Sequence, residues 1–355
     1  MSNSIVIVGA GVIGLTSALT LKKENKDLDI TVIASHLPGD ISINYTSPFA
    51  GANWQSFAGD DVEVQKIDEI GYHEFIRLAD IPTSGVWKKK NVNCVTQKGW
   101  DDAQRDPKAF ANWFDKLANS RVLEKNELVP GTVYGTVFDG VVISVPIYLS
   151  YLVQQCLEIG IVLQRIAPLK NIEDARALHH SGKKASLLIN CAGLGVSRLN
   201  GLNDKKRTYA VKGQVVLVSN KIDHVICVEG AKHPNEMLYA FPRKEGGTII
   251  GGCFLVDQWS SKEDKTITQR ILGRAVRHIP QLIDPATGNP DHLDVVKVNV
   301  GLRPFREDGP RIERDSKRPW LIHAYGAGGG GYQGSYGFAE KVARLVRESK
   351  PEAKL

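Results

Sequence analysis

Three glycines, Gly9, Gly11 and Gly14, stand at the spacing that lets a backbone wrap around a pyrophosphate. Gly9 permits a tight turn, Gly11 lets the main chain approach the phosphates, and Gly14 lets a helix press onto the preceding strand. Ala10, Val12 and Ile13 complete the turn, so their amides and the positive helix end face an anion. A second glycine run, Gly328 to Gly331, leads into Tyr332 and Gln333. Its backbone amides are suited to holding a further electron-rich group. Metal chemistry has less to work with. Cys94, Cys156, Cys191, Cys227 and Cys253 are widely spaced and include no CxxC pair, so neither a zinc site nor a disulfide framework is expected. His179 and His180 read as an isolated surface pair, and no metal is expected.

The elements needed to position the first turn are present. Ile5 to Val8 read as a buried strand, Leu15, Ala18 and Leu19 as one helical face, and Ile30 to Ile33 as the returning strand. A helix is expected over 62–78, with Val64, Ile67, Ile70, Phe75 and Leu78 inward. Residues 92–139 read as short strands mixed with irregular structure. Further helices are expected over 147–159, 267–279 and 338–346, and strands over 161–165, 186–191, 214–218, 238–241, 248–252 and 321–323. This order implies an α/β protein with interleaved domains. The nucleotide domain gathers 1–58, 140–200 and 299–355, and 59–139 and 201–298 build a sheet-based substrate domain.

A net charge of +6 without a concentrated basic stripe argues against nucleic acid as a partner. The apolar stretches are too short to span a membrane, and no basic leader precedes the first strand. Ala353-Lys354-Leu355 matches the small–basic–Leu form of the peroxisomal address, implying an import receptor as partner and the peroxisome as location.

Several further motifs occur in one order: Ser47-Pro-Phe-Ala-Gly-Ala-Asn-Trp54, Asn190-Cys-Ala-Gly-Leu-Gly195, Lys212-Gly-Gln-Val-Val216, Gly251-Gly-Cys-Phe254, Val300-Gly-Leu-Arg-Pro304 and Gly331-Tyr-Gln-Gly-Ser-Tyr336. Together with Gly9–Gly14 they resemble, across nearly the whole chain, the yeast-type D-amino acid oxidases and the related D-aspartate oxidases. The resemblance implies a glutathione-reductase-like FAD-binding Rossmann domain joined to the substrate sheet. It also implies non-covalent FAD, with substrate Cα hydride passing to flavin N5. The products would be a 2-oxo acid, ammonia and, from dioxygen, hydrogen peroxide.

On that resemblance Arg303 anchors the substrate carboxylate with Tyr239 as second donor, and these two are the catalytic residues. Phe241 and Phe254 form pocket walls. Lys232 or Arg243 would hold the distal carboxylate of an acidic substrate, although a solvent-exposed Arg243 at the strand end is the better reading. The flavin would be lined by Ala50, Gly51, Ala52, Asn53, Gly329, Gly330, Gly331, Tyr332 and Gln333, with Arg303 nearby. Ile166 would border the adenine and Gly193 the phosphates. The acid that normally follows the second strand is missing; Ser35 and His36 stand there, as adenosine contacts or, for His36, as a surface turn residue. Small D-amino acids and dioxygen are the expected substrates, with neutral D-amino acids favoured over D-aspartate. A homodimer, a nicotinamide-dependent dehydrogenase and a non-catalytic flavin-binding protein remain open readings.

Overall fold

The computed structural model describes residues 3–283 and 292–348. A six-stranded sheet forms around Ser4–Val8, whose five residues are all buried. Asp29–Ala34 and Leu187–Asn190 flank it in parallel register. The sheet continues to Val162–Arg165 on one side and Leu321–Tyr325 on the other, both parallel, and ends in antiparallel Arg311–Arg314. Strands buried on both faces read as continuous apolar runs, which is why the sequence announces this sheet clearly.

Helix Val12–Glu24 starts directly from the glycine turn and packs against helices Val145–Glu158 and Ser335–Arg347. Its Leu15, Ala18 and Leu19 are buried, as their spacing requires. Helix Val62–Leu78 begins at Asp61, whose carboxylate accepts from the N–H groups of Glu63 and Val64. Ile67, Phe75 and Leu78 are buried, but Ile70 faces solvent at 38% exposure. This helix packs on Ser335–Arg347 and shares one core with the parallel sheet. The domain boundary drawn at residue 59 therefore cuts through a common core.

The second sheet has nine strands. In order they are Leu255–Val256, Thr208–Val218, Thr248–Cys253, Glu236–Pro242, Val225–Glu229, Val86–Thr96, Thr132–Ile143 and Arg121–Val122. Val295–Arg306 runs antiparallel along the other edge of Thr208–Val218. Helix Lys265–His278 covers one face through Ile267, Ile271 and Ala275. The opposite face looks toward the parallel sheet.

Two readings of this region are corrected. Residues 97–131 are largely irregular with one short strand, as expected, but the two ends of 92–139 belong to long strands, because Val86–Thr96 and Thr132–Ile143 pair over almost their whole length. Their polar outer residues hide the periodicity. His179 is buried, its ring in contact with the Asp29 carbonyl (3.2 Å) and Ser181 Oγ (2.8 Å), whereas His180 stays exposed. Asp29, His179 and His180 bring ligand atoms within 4.8 Å of one another, but both ring nitrogens of His179 are already engaged within the chain.

Candidate active site

The loops between the two sheets enclose a cavity of about 910 Å³. It begins at the glycine turn. Gly9 has φ +108°, and a Cβ there would lie 2.4 Å from the Cys191 carbonyl oxygen, so both conformation and space demand glycine. Val12 N–H donates to Ser47 Oγ at 3.0 Å, and Tyr45 OH donates to the Ala10 carbonyl at 2.7 Å. Those bonds clamp the 45–47 loop over the helix start. Tyr332 OH donates to the Ser47 carbonyl at 2.9 Å, which ties the second glycine loop to the same clamp. Gly9 to Ile13, Ser35, His36, Ala50 to Asn53, Ile166, Gly193 and Gly329 to Gln333 all line the cavity.

A flavin dinucleotide fits these residues. A Cβ built on Gly193 meets nothing within 4 Å, so that backbone lies open to the cavity. Asn53 lines the same wall with a buried Nδ2 that has no hydrogen-bond partner. A buried donor left unpaired is costly unless a ligand accepts from it. At the adenosine end no acid among the described residues faces the cavity. Asp40 instead pairs with Arg165 at 2.5 and 3.0 Å, and that bond, helped by Leu37 N–H, holds its carboxyl down to about 2.

At the far end two strands bring together Arg303 and Tyr239, whose donors are of the kind that can bind a carboxylate. Arg303 stands on the edge strand, Tyr239 on Glu236–Pro242, and Tyr239 and Phe241 stack with ring centroids 4.9 Å apart. The Arg303 guanidinium lies 4.2 Å over the Phe254 ring and donates to the Cys253 carbonyl at 3.1 Å. That leaves most of its donors for a ligand. A Cβ at Gly213 would come within 2.7 Å of the guanidinium, so the glycine opposite makes room for it. Burial raises the Tyr239 phenol above its ordinary value, and Arg303 pulls the other way. The phenol stays protonated and able to donate.

This geometry joins a dinucleotide groove to an Arg–Tyr anion site, and the sequence comparisons agree. A family described as FAD-dependent oxidoreductases, DAO, matches residues 4–345. The chain belongs to the FAD-dependent oxidoreductase family. A D-amino-acid oxidase of Fusarium vanettenii is 40% identical over 370 residues, covering 100% of this chain and 99% of that protein. A D-aspartate oxidase of Talaromyces thermophilus is 30% identical, covering 98% and 95%. Among solved structures, glycine oxidase from Geobacillus kaustophilus shares the fold with a TM-score of 0.75 at 19% identity, covering 99% and 96%. FAD is the cofactor of this family.

Two residues expected in the pocket lie outside it. Lys232 is exposed in a turn, because Gly230 with φ +80° ends the preceding strand and carries the chain away. Arg243 follows the end of its strand, so the alternation that would place it beside Phe241 has already stopped. It is 8% exposed, with Nη2 3.5 Å from the Ala50 carbonyl and Nη1 3.7 Å from Glu245, behind the wall that Ala50 belongs to.

The sequence reading missed others. Asp68, 2% exposed, accepts from Ser56 Oγ at 2.7 Å and Gln333 Nε2 at 3.0 Å, and burial raises its carboxyl to about 6. With its amide nitrogen engaged by Asp68, Gln333 has its amide orientation fixed at the cavity wall. Gln55, Cys227, Glu229, Met237 and Trp259 also line the cavity. Alternation along 225–229 would have put Cys227 and Glu229 on one face, but not said which face looked inward.

Proposed function

We propose that this family member oxidises D-amino acids to imino acids, which hydrolyse to 2-oxo acids and ammonia while dioxygen becomes hydrogen peroxide. The observation that carries this reading is the Arg303–Tyr239 pair at the end of the FAD groove. Bound FAD supplies the two-electron acceptor. Arg303 binds and orients the substrate carboxylate, Tyr239 donates a second hydrogen bond, and Phe241 and Phe254 wall the site against water. The relatives' names support D-amino acids as the substrate class.

A neutral over an acidic preference is supported by the places of Lys232 and Arg243. Neither lines the cavity, so neither is positioned to receive a distal carboxylate. The test is oxygen uptake with matched D- and L-alanine, D-methionine and D-aspartate, alongside assays for ammonia and peroxide. Uptake with the D-enantiomers and matching product yields supports the reading. Uptake confined to L-enantiomers, or none, would sink it.

Peroxide as a product also supports peroxisomal residence through an import receptor that reads Ala353-Lys354-Leu355, residues outside the described part of the chain. One residue appended after Leu355 should leave a tagged protein in the cytosol. Unchanged import would assign the address elsewhere.

A further inference from the structure

Glu229 is a carboxylate in the wall of the substrate end. It closes the strand Val225–Glu229, which pairs antiparallel with Glu236–Pro242 so that Cys227 lies opposite Tyr239. Side chains alternate along a strand, so Cys227 and Glu229 share a face. Ile226 and Val228 take the other face, where they enter the core beneath helix Lys265–His278. Glu229 therefore faces the cavity together with Cys227, Tyr239 and Met237, and all four line it.

Among the described residues no hydrogen bond or ion pair reaches the Glu229 carboxylate. Its side chain is exposed, opening on the cavity, and the surrounding protein raises its carboxyl above the ordinary value. Its charge is felt at Cys227, whose thiol is raised by burial first and by Glu229 second. Cys227 in turn lies beside Tyr239, and Tyr239 beside Arg303. The wall thus carries a cation at one end and an unpaired anion farther along the same face. An accessible carboxylate with no partner in the substrate wall favours a ligand that brings a cation and disfavours one that brings a second anion.

Glu229 lies on the strand next to the one that carries Tyr239, two residues past Cys227. A ligand held by Arg303 and Tyr239 therefore reaches it only through a side chain that extends past Cys227. We propose that Glu229 is a specificity-determining residue that selects D-amino acids with a cationic side chain, of the D-lysine, D-ornithine and D-arginine class, and repels D-aspartate and D-glutamate. This rests on the D-amino acid reading above.

The experiment compares kcat/KM for D-lysine with that for D-norleucine, its uncharged analogue, at about pH 8, where an aliphatic ammonium is protonated. Wild-type holoenzyme, E229Q and E229R are used. The D-lysine to D-norleucine ratio should fall about tenfold in E229Q and further in E229R, with D-glutamate gaining in E229R. A ratio unchanged in both variants would overturn the proposal while leaving D-amino acid oxidation standing. A binding measurement separates the two readings if no D-amino acid is oxidised. Displacement of the flavin absorbance by 6-aminohexanoate and by hexanoate should favour the amino compound in the wild type, and that preference should vanish in E229Q. Equal affinities of the wild type for the two carboxylates would also overturn it.

Discussion

On the proposed function, Arg303 is the residue on which recognition of the substrate would rest. Its guanidinium is braced by the Phe254 face and the Cys253 carbonyl, and the glycine at 213 leaves it space. Arg303→Ala should retain FAD but lose about 2–5 kcal/mol of transition-state stabilisation, roughly 30-fold to several thousandfold in kcat/KM. Tyr239→Phe removes one neutral donor and keeps the stacked ring, so its loss should be about 0.5–1.5 kcal/mol. Steady-state kinetics on D-alanine check both, and an Arg303→Ala enzyme as efficient as wild type would place carboxylate binding elsewhere. That Arg303 and Tyr239 line the cavity was foreseeable, Arg303 from its Gly-Leu-Arg-Pro motif and Tyr239 from the family resemblance. The places of Glu229 and Asp68 were not, since a lone acid on a strand end or helix has the same local signature whether it meets water or a cavity. Lys232 and Arg243 were misplaced for a related reason: proximity along the chain stops predicting proximity in space once a turn intervenes.

Among the elements, helix Val62–Leu78 links the core to the cofactor wall through Asp68. A carboxyl that ionises at about 6 when folded and near 3.9 when unfolded holds its proton longer in the folded state. Between those values the unfolded chain binds fewer protons, so this group lowers stability as pH rises and leaves it flat above about 6. Asp68→Asn removes that dependence. Relative to wild type, the variant should gain up to about 3 kcal/mol between pH 4 and pH 7. Urea unfolding of both proteins across that range measures the difference, and a gap independent of pH would contradict the account. The same helix shows what sequence conveys about elements. Its limits, 62–78, follow from the Asp61 cap and the apolar spacing. Its membership in the first core depends on Ser335–Arg347 packing onto it from the other end of the chain, which periodicity does not reveal. The strand Val295–Arg306 is absent from the expected strands, and only its Gly-Leu-Arg-Pro motif stands out, because Val295 and Val296 are exposed and its inner residues alternate irregularly.

For the whole molecule, the cavity explains why three separated stretches of sequence carry the same message. Gly9–Ile13, Ala50–Asn53 and Gly329–Gln333 line one groove between two sheets, and neither sheet alone encloses it. Binding that draws on all three should stabilise the whole fold. At a free FAD concentration a hundredfold above Kd the gain is about 2.7 kcal/mol, visible as a rise of several degrees in Tm over the apoprotein. Acid precipitation should release the yellow chromophore into the supernatant, and colour kept in the pellet would contradict non-covalent binding. The most direct test of the central claim is the flavin absorbance of the purified holoprotein, mixed without oxygen with D-alanine and separately with L-alanine. The account predicts that D-alanine bleaches the flavin band, that L-alanine leaves it intact, and that admitting oxygen restores it. A flavin unchanged by every D-amino acid, or bleached by the L-enantiomer alone, would contradict it.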